Sequence, residues 1–309
     1  MPFRCDFSDV LTEFQLKNFR LIYHNSADFT ESPFFGVLVV LIYRCIFAVY
    51  CFCWLIAGSV HPTNGDTKWF IYLSNWAYLF LTIYYIYSSI LTGIYYRGEW
   101  MIGEYDVQDN DVLRPKSRSR LGETEQPPDE EIRYDNPLDM RIEEPVRWYH
   151  ETLWVIYNIA ATNAVAVTLY YIIIGYPKSL SSYTPDGLDI STHVLNTIFV
   201  LADTSLSRVP VRIYHVIYPM LFFVVYVMFC VMYWAGDGLN TYGYTFIYSW
   251  LDFTNKPGVA TAFIFGYTFV ALVIAQLSLF GISKLRLFIS KRVKLHQRSK
   301  RQRSLEHET

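Results

Sequence analysis

Few residues in this chain could do chemistry inside the apolar runs that hold them, and those few sit at two depths. An ionisable side chain in a membrane span costs roughly 2.5 to 3.5 kcal/mol on insertion scales, so each needs a partner or a purpose. Arg44 lies about eleven residues into the first run, near mid-membrane at about 1.5 Å per residue. Asp203 lies in the inner half of the fourth run. A guanidinium and a carboxylate neutralise each other in an apolar setting, so Arg44 and Asp203 are expected to form a structural ion pair, with a direct functional role as the other reading. At the second depth, near the outer leaflet, are Ser74 and Asn75 in the second run and His193 and Asn196 in the fourth. Stepped at about 100° per residue, His193, Asn196, Thr197, Asp203, Thr204 and Ser207 fall within about 120° of one another on a helix. Ser74, Tyr78, Thr82, Tyr85 and Thr92 make a looser stripe on the second run. Two such faces either enclose a hydrated or headgroup-binding cavity or act as hydrogen-bond glue between helices, and the sequence leaves both open.

The elements that must carry these residues follow from composition. Of 309 residues, 52% are hydrophobic, 18% aromatic and 17% charged, against roughly 25% charged in an ordinary soluble domain. The mean hydropathy of +0.18 is modest, so the apolar residues must be gathered into blocks between polar stretches. Scanning for uncharged runs of about 20 residues, the length that crosses a hydrocarbon core, yields residues 33–57 (broken by Arg44), 69–96, 152–174, 214–235 and 258–283. A sixth run, 191–207, is shorter and carries His193, Asn196 and Asp203.

Lysine and arginine accumulate on the cytoplasmic side of a membrane. With six spans, 22 of the 26 basic residues fall in the N-terminal segment, the loop after span two, the link holding Arg208 and Arg212, and the tail. The opposite loops hold only Lys68, Lys178 and Lys256. Five spans would mix the two groups. The expectation is an all-α, six-span transmembrane bundle with both termini cytoplasmic. Residues 1–32 contain several charges and no apolar core suited to a cleavable signal, so span one is expected to direct insertion.

The polar segments carry their own expectations. Phe7, Val10, Leu11, Phe14 and Leu21 share one apolar face, which predicts an interfacial helix over 7–21 within the 1–32 segment. The 97–151 loop, between spans one and two (33–96) and spans three to six (152–283), holds 15 acidic and 8 basic residues and five prolines. Such a stretch buries too little apolar surface to offset ordering, so its middle is expected to be disordered. Its RPKSRSR stretch at 114–120 reads as a solvated charge run, with phosphorylation or docking of protein partners as the sharper reading. The 284–309 tail mixes apolar and basic residues, and Lys291, Arg292 and Lys294 are expected to meet anionic headgroups of the inner leaflet, at roughly 1 kcal/mol per charge. A net charge of −2 argues against nucleic acid as the main partner. The five cysteines show no metal-ligand or disulfide spacing and read as small hydrophobes; no metal or other cofactor is expected.

The motifs CDFSDV, LIYRCIFAVY, KWFIYLSNWAYLFLTIYY, STHVLNTIFVLAD, PVRIYHVIYPMLF and IYSWLDF resemble the rolling stone family of multi-pass membrane proteins, whose founding member is associated with myoblast fusion in insect muscle. The resemblance runs over nearly the whole chain except 97–147. It implies a membrane protein, in the plasma membrane first and the endoplasmic reticulum second, acting in cell fusion or muscle development through lateral or cytoplasmic partners. A more distant similarity reaches the androgen-induced family of six-span fatty-acid ester hydrolases. That family's threonine stretch fits WFIYLSN and places Ser74 at the nucleophile position. Its paired-histidine stretch fits THVLNT, with His193 at the first histidine and Asn196 at the catalytic one. This implies an alternative activity, intramembrane hydrolysis of lipid esters, with Ser74 as nucleophile, His193 as the replacement base and Asn196 orienting the imidazole or donating to the oxyanion. A channel or transporter would call for inverted repeats or broken helix pairs, which are not evident in the sequence.

Overall fold

Inside hydrocarbon every backbone N–H and C=O must find a partner within the protein, and an uninterrupted apolar run does so by coiling into a helix. The computed structural model describes residues 12–60, 68–109, 145–175 and 186–308, and no strand occurs among them. Helix α1 is Val37–Ser59. A 3₁₀ turn, Trp69–Ile71, leads into α2, Leu73–Asp109. Helix α3 is Trp148–Tyr170, its first turn capped by the Arg147 N–H donating to His150 Nδ1 at 3.3 Å, and it continues as a π turn, Tyr171–Gly175. Helix α4 runs without a break through Gly187–Ile190, a π turn Ser191–Leu195, and Asn196–Leu206. The 3₁₀ turn Ile213–Val216 opens α5, Ile217–Ala235. Helix α6 begins with Pro257 at its first position, where the missing N–H is harmless, and passes through Pro257–Gly266, a π turn Tyr267–Ala271, and Leu272–Glu308.

Five of these, α1, α2, α3, α5 and α6, are long and apolar enough to cross a membrane. Helix α4 spans 187–206, about 30 Å at 1.5 Å per residue, but its polar side chains keep it outside that group.

Helix α3 is the hub. It packs on α2, α4, α5 and α6, and 72% of its apolar window is buried, against 22% for α1. Ala160, Ala161 and Ala164 are fully buried on it, and such small side chains let neighbouring backbones approach where lipid supplies no hydrophobic drive. Helix α1 flanks α2 and turns Leu38, Val39, Ile42, Ile46 and Val49 outward. The segment between α5 and α6 is tied to the start of α2, where Lys68 Nζ donates to Asn240 O at 2.7 Å and the Leu73 N–H donates to Tyr248 Oη at 3.0 Å.

The polar segments differ from their sequence reading. In place of a helix across 12–21, two short 3₁₀ turns form, Thr12–Phe14 and Leu16–Phe19; residues 7–11 of that expected helix lie outside the described residues. The carbonyls that an α-helix would use are taken by other donors: Asn18 Nδ2 reaches Thr12 O and Glu13 O, Tyr214 Oη reaches Phe14 O, and Arg212 reaches Arg20 O and Ile22 O. Two helices also outrun their apolar runs. Helix α2 extends through Asp109, so the start of the acidic loop is helical, while residues 110–144, where disorder is expected, lie outside the described residues. Helix α6 carries on past residue 283 to Glu308 because the tail contains neither glycine nor proline after Gly281.

Candidate functional site

Arg44 and Asp203 meet in the interior. Arg44 Nε lies 3.3 Å from Asp203 Oδ1, and neither side chain has solvent access. The carboxylate also accepts from Tyr43 Oη at 2.7 Å and from Tyr84 Oη through a short hydrogen bond. On its other side the guanidinium donates through Nη1 to Phe29 O at 2.8 Å and Thr92 Oγ1 at 2.9 Å. The cluster joins α1, α2, α4 and the N-terminal segment.

The outer set is arranged differently. Asn196 engages both ends of its amide: Nδ2 donates to Thr192 O at 2.6 Å, and Oδ1 accepts from the Thr197 N–H at 2.6 Å and from Thr168 Oγ1 of α3 at 3.1 Å. His193 stacks on Tyr171, with ring centroids 4.5 Å apart and planes 4° from parallel, and its Nδ1 has no hydrogen-bond partner. Among the described residues no hydrogen bond links Ser74 to His193 or Asn196. The π turn accounts for the altered phase, because it inserts a residue into the helical repeat and rotates everything before it relative to a uniform 100° step. The polar faces of α2 and α4 are spent on contacts between helices: Tyr78 with Ser191 at 3.0 Å, Tyr157 with Thr204 at 2.8 Å, and Thr197 Oγ1 onto Ala164 O at 2.9 Å.

A second polar network went unnoticed in the sequence because its members sit singly in apolar surroundings. Gln276 of α6 accepts from Thr162 Oγ1 at 2.5 Å and donates to Asn158 Oδ1 at 3.3 Å and Arg212 O at 2.7 Å. Asn158 Nδ2 in turn lies 3.4 Å from His215 Nδ1, and Tyr267 Oη donates to Asn163 Oδ1 at 3.2 Å. All of these pin α3 to its neighbours. Their signal in the sequence is the recurrence of Asn and Thr on one span with no charge.

Basic residues converge at one end of the bundle. A cavity of about 440 Å³ opens between the N-terminal segment, the 208–212 link and α6, and Arg208, Arg212, Lys284, Arg286, Lys291 and Lys294 all line it. Its acidic members are Glu13 and Asp28. Along α6, Ser283, Leu287, Ser290 and Lys294 recur at three- and four-residue steps, which brings them to one helix face. Lys284 pairs with Glu13 at 3.1 Å, and Arg208 with Glu31 at 2.9 Å and Asp28 at 3.7 Å. Arg286 is held by carbonyls that end α4 and begin the link: Nη1 donates to Thr204 O at 2.9 Å and, more closely, to Ser207 O, and Nη2 to Val209 O at 3.3 Å. A cation at a helix C-terminus meets both the orphaned carbonyls and the negative end of the dipole. Burial pulls the Arg212 guanidinium below its ordinary pKa, and burial together with the Asp28 charge raises the Tyr23 phenol. Of the three tail residues expected to meet headgroups, Lys291 and Lys294 line the cavity, whereas Arg292 lies over the Phe288 ring, 5.2 Å from its centroid.

Long apolar helices joined by hydrogen bonds between buried polar groups, with cations massed at one end, define a multi-pass membrane protein. A family model described as Protein rolling stone matches residues 144–299, and the chain belongs to that family. Protein rolling stone of Drosophila melanogaster is 23% identical to it over 248 residues, covering 80% of this chain and 78% of that one. No solved structure matches.

Proposed function

We propose that the chain is a six-span plasma-membrane protein with both termini in the cytoplasm, acting in cell fusion or muscle development by holding anionic inner-leaflet lipids and cytoplasmic protein partners. The observation that carries this reading is the convergence of six basic side chains on one cavity at the end of the bundle where the N-terminal segment and the tail helix meet. Supporting the sixth crossing are the unbroken course of α4 over 187–206 and the 22-to-3 division of basic residues between the two sides that it creates. On this reading Lys291, Arg292 and Lys294 attract anionic headgroups, and the acidic 97–151 loop serves protein partners. The role in fusion is the one that the rolling stone resemblance implies.

The geometry favours this over ester hydrolysis. A hydroxyl nucleophile needs a base within hydrogen-bond reach; among the described residues no hydrogen bond joins Ser74 to His193, and the Asn196 amide is engaged with Thr168, Thr192 and Thr197. The test is depletion in cultured fusing myoblasts. Depletion is expected to lower the number of nuclei per fused cell, with wild-type chain and Ser74→Ala restoring it equally. Normal fusion after complete depletion, or rescue lost in a Ser74→Ala protein that still reaches the cell surface, would refute the proposal.

A further inference from the structure

We propose that the basic cavity is a specific site for a lipid headgroup bearing clustered phosphomonoesters, with Glu13 as a built-in competitor for the same cations. The inference rests on the inner-leaflet reading above and names the ligand class for that surface. A diffuse basic tail attracts any anionic leaflet; a concave site that fixes its cations can select among headgroups.

Four observations carry it. First, the cavity of about 440 Å³ lies within the range of small-ligand sites, roughly 300 to 1,000 Å³. Second, six cations line it against Glu13 and Asp28 in the lining and Glu31 on Arg208, an excess that one singly charged headgroup would leave mostly uncompensated. Third, two buried polar atoms among the lining residues lack partners. Arg286 is only 5% exposed and its Nε–H donates to nothing, while Glu13 binds Lys284 through Oε1 and leaves Oε2 unpartnered. The buried Arg286 guanidinium adds a fixed positive charge to the cavity wall, and a headgroup displacing Glu13 from Lys284 would release the Glu13 carboxylate to water. Fourth, the mouth is flanked by apolar side chains of α6. Leu285, Leu287, Phe288 and Ile289 are exposed around the same turns that carry Lys284 and Lys291, so acyl chains have a surface to follow. This favours a lipid over a free phosphate ligand. Among the described residues no ion pair reaches Lys291 or Lys294, which stand exposed at the rim.

The experiment uses full-length protein in phosphatidylcholine nanodiscs and measures binding of fluorescent phosphatidylinositol bisphosphate, with phosphatidylserine at matched total charge as comparison. Saturable binding is expected for the bisphosphate lipid, weakened about tenfold or more in Lys284→Gln/Lys291→Gln through loss of charge-assisted hydrogen bonds. Glu13→Gln should strengthen it several-fold, while Lys300→Gln/Arg303→Gln, outside the cavity, should leave it within about twofold. Equal losses in the two double variants, or equal binding of phosphatidylserine at matched charge, would overturn the site. Soluble inositol trisphosphate that competes as well as the lipid would overturn the lipid assignment in favour of a free phosphate ligand. Should the Lys284/Lys291 variant not fold, Lys294→Gln tests the same point from the exposed rim. Nanodiscs expose both faces, so an error in membrane orientation would surface in topology labelling and leave this measurement unchanged.

Discussion

Removing the Asp203 carboxylate should be the most damaging single polar change in the core. In Asp203→Ala the Arg44 guanidinium loses its counter-charge where neither side chain touches solvent, and the hydroxyls of Tyr43 and Tyr84 lose their acceptor. Breaking a buried pair from one side costs about 3 to 5 kcal/mol, and each orphaned hydroxyl adds up to about 1 to 3 kcal/mol where the site cannot relax or admit water. Against a net stability of about 5 to 15 kcal/mol, most of the folded protein should be lost. Arg44→Leu should cost less, since a carboxyl left behind can take up a proton, whereas an arginine cannot shed one. Asp203→Asn should fall between, because it keeps an acceptor and loses the charge. Unfolding of purified protein by titrated denaturing detergent measures all three, together with the Arg44→Leu/Asp203→Ala double variant. The double variant should lie well below the sum of the singles, with a coupling of about 1 to 3 kcal/mol. Strict additivity, or a cost under about 1 kcal/mol for Asp203→Ala, would refute the argument that these groups neutralise each other.

Gln276→Leu strips one acceptor and two donor contacts from the network around Asn158, Thr162 and Arg212 and should lower stability by about 1 to 3 kcal/mol, read in the same detergent titration; an unchanged midpoint would show the network to be idle. For topology, in a background freed of native cysteines, Tyr242→Cys should react with an impermeant thiol reagent on intact cells and Ser304→Cys should not. Tyr242 is 82% exposed, whereas the neighbouring Asn240 is buried and would give an ambiguous silence. Reactivity in the reverse pattern would invert the proposed orientation. Fluorophosphonate lipid probes should give no labelling that depends on Ser74; labelling abolished by Ser74→Ala and by His193→Ala in folded protein would reinstate ester hydrolysis.

The apolar runs that become helices, the polarity of the whole chain, and the need of Arg44 and Asp203 for compensation are all legible in the order of residues. Each follows from the energetics of single residues in hydrocarbon and is written locally. Helix ends were less legible. Loss of apolarity after residues 96 and 283 does not stop a helix: α2 continues through Gly98 and Gly103 to Asp109, and α6, with neither glycine nor proline after Gly281, continues to Glu308. Tertiary structure alone decided who meets whom. Tyr43 and Tyr84 reach Asp203 across 160 and 119 residues of chain, and no local pattern marks them among the 26 tyrosines. The π turn at Ser191–Leu195 shifted the phase of His193 against Asn196, so that a face drawn at a uniform step became separate contacts to α2 and α3. The cavity, likewise, forms where the N-terminal segment, held through its carbonyls by Arg212 and Tyr214, meets the 208–212 link and α6. The N-terminal segment's amphipathic spacing favoured a helix, but beside the local donor Asn18 the groups that take its carbonyls include Tyr214, 200 residues away in sequence, which acts only once the bundle has brought the two together.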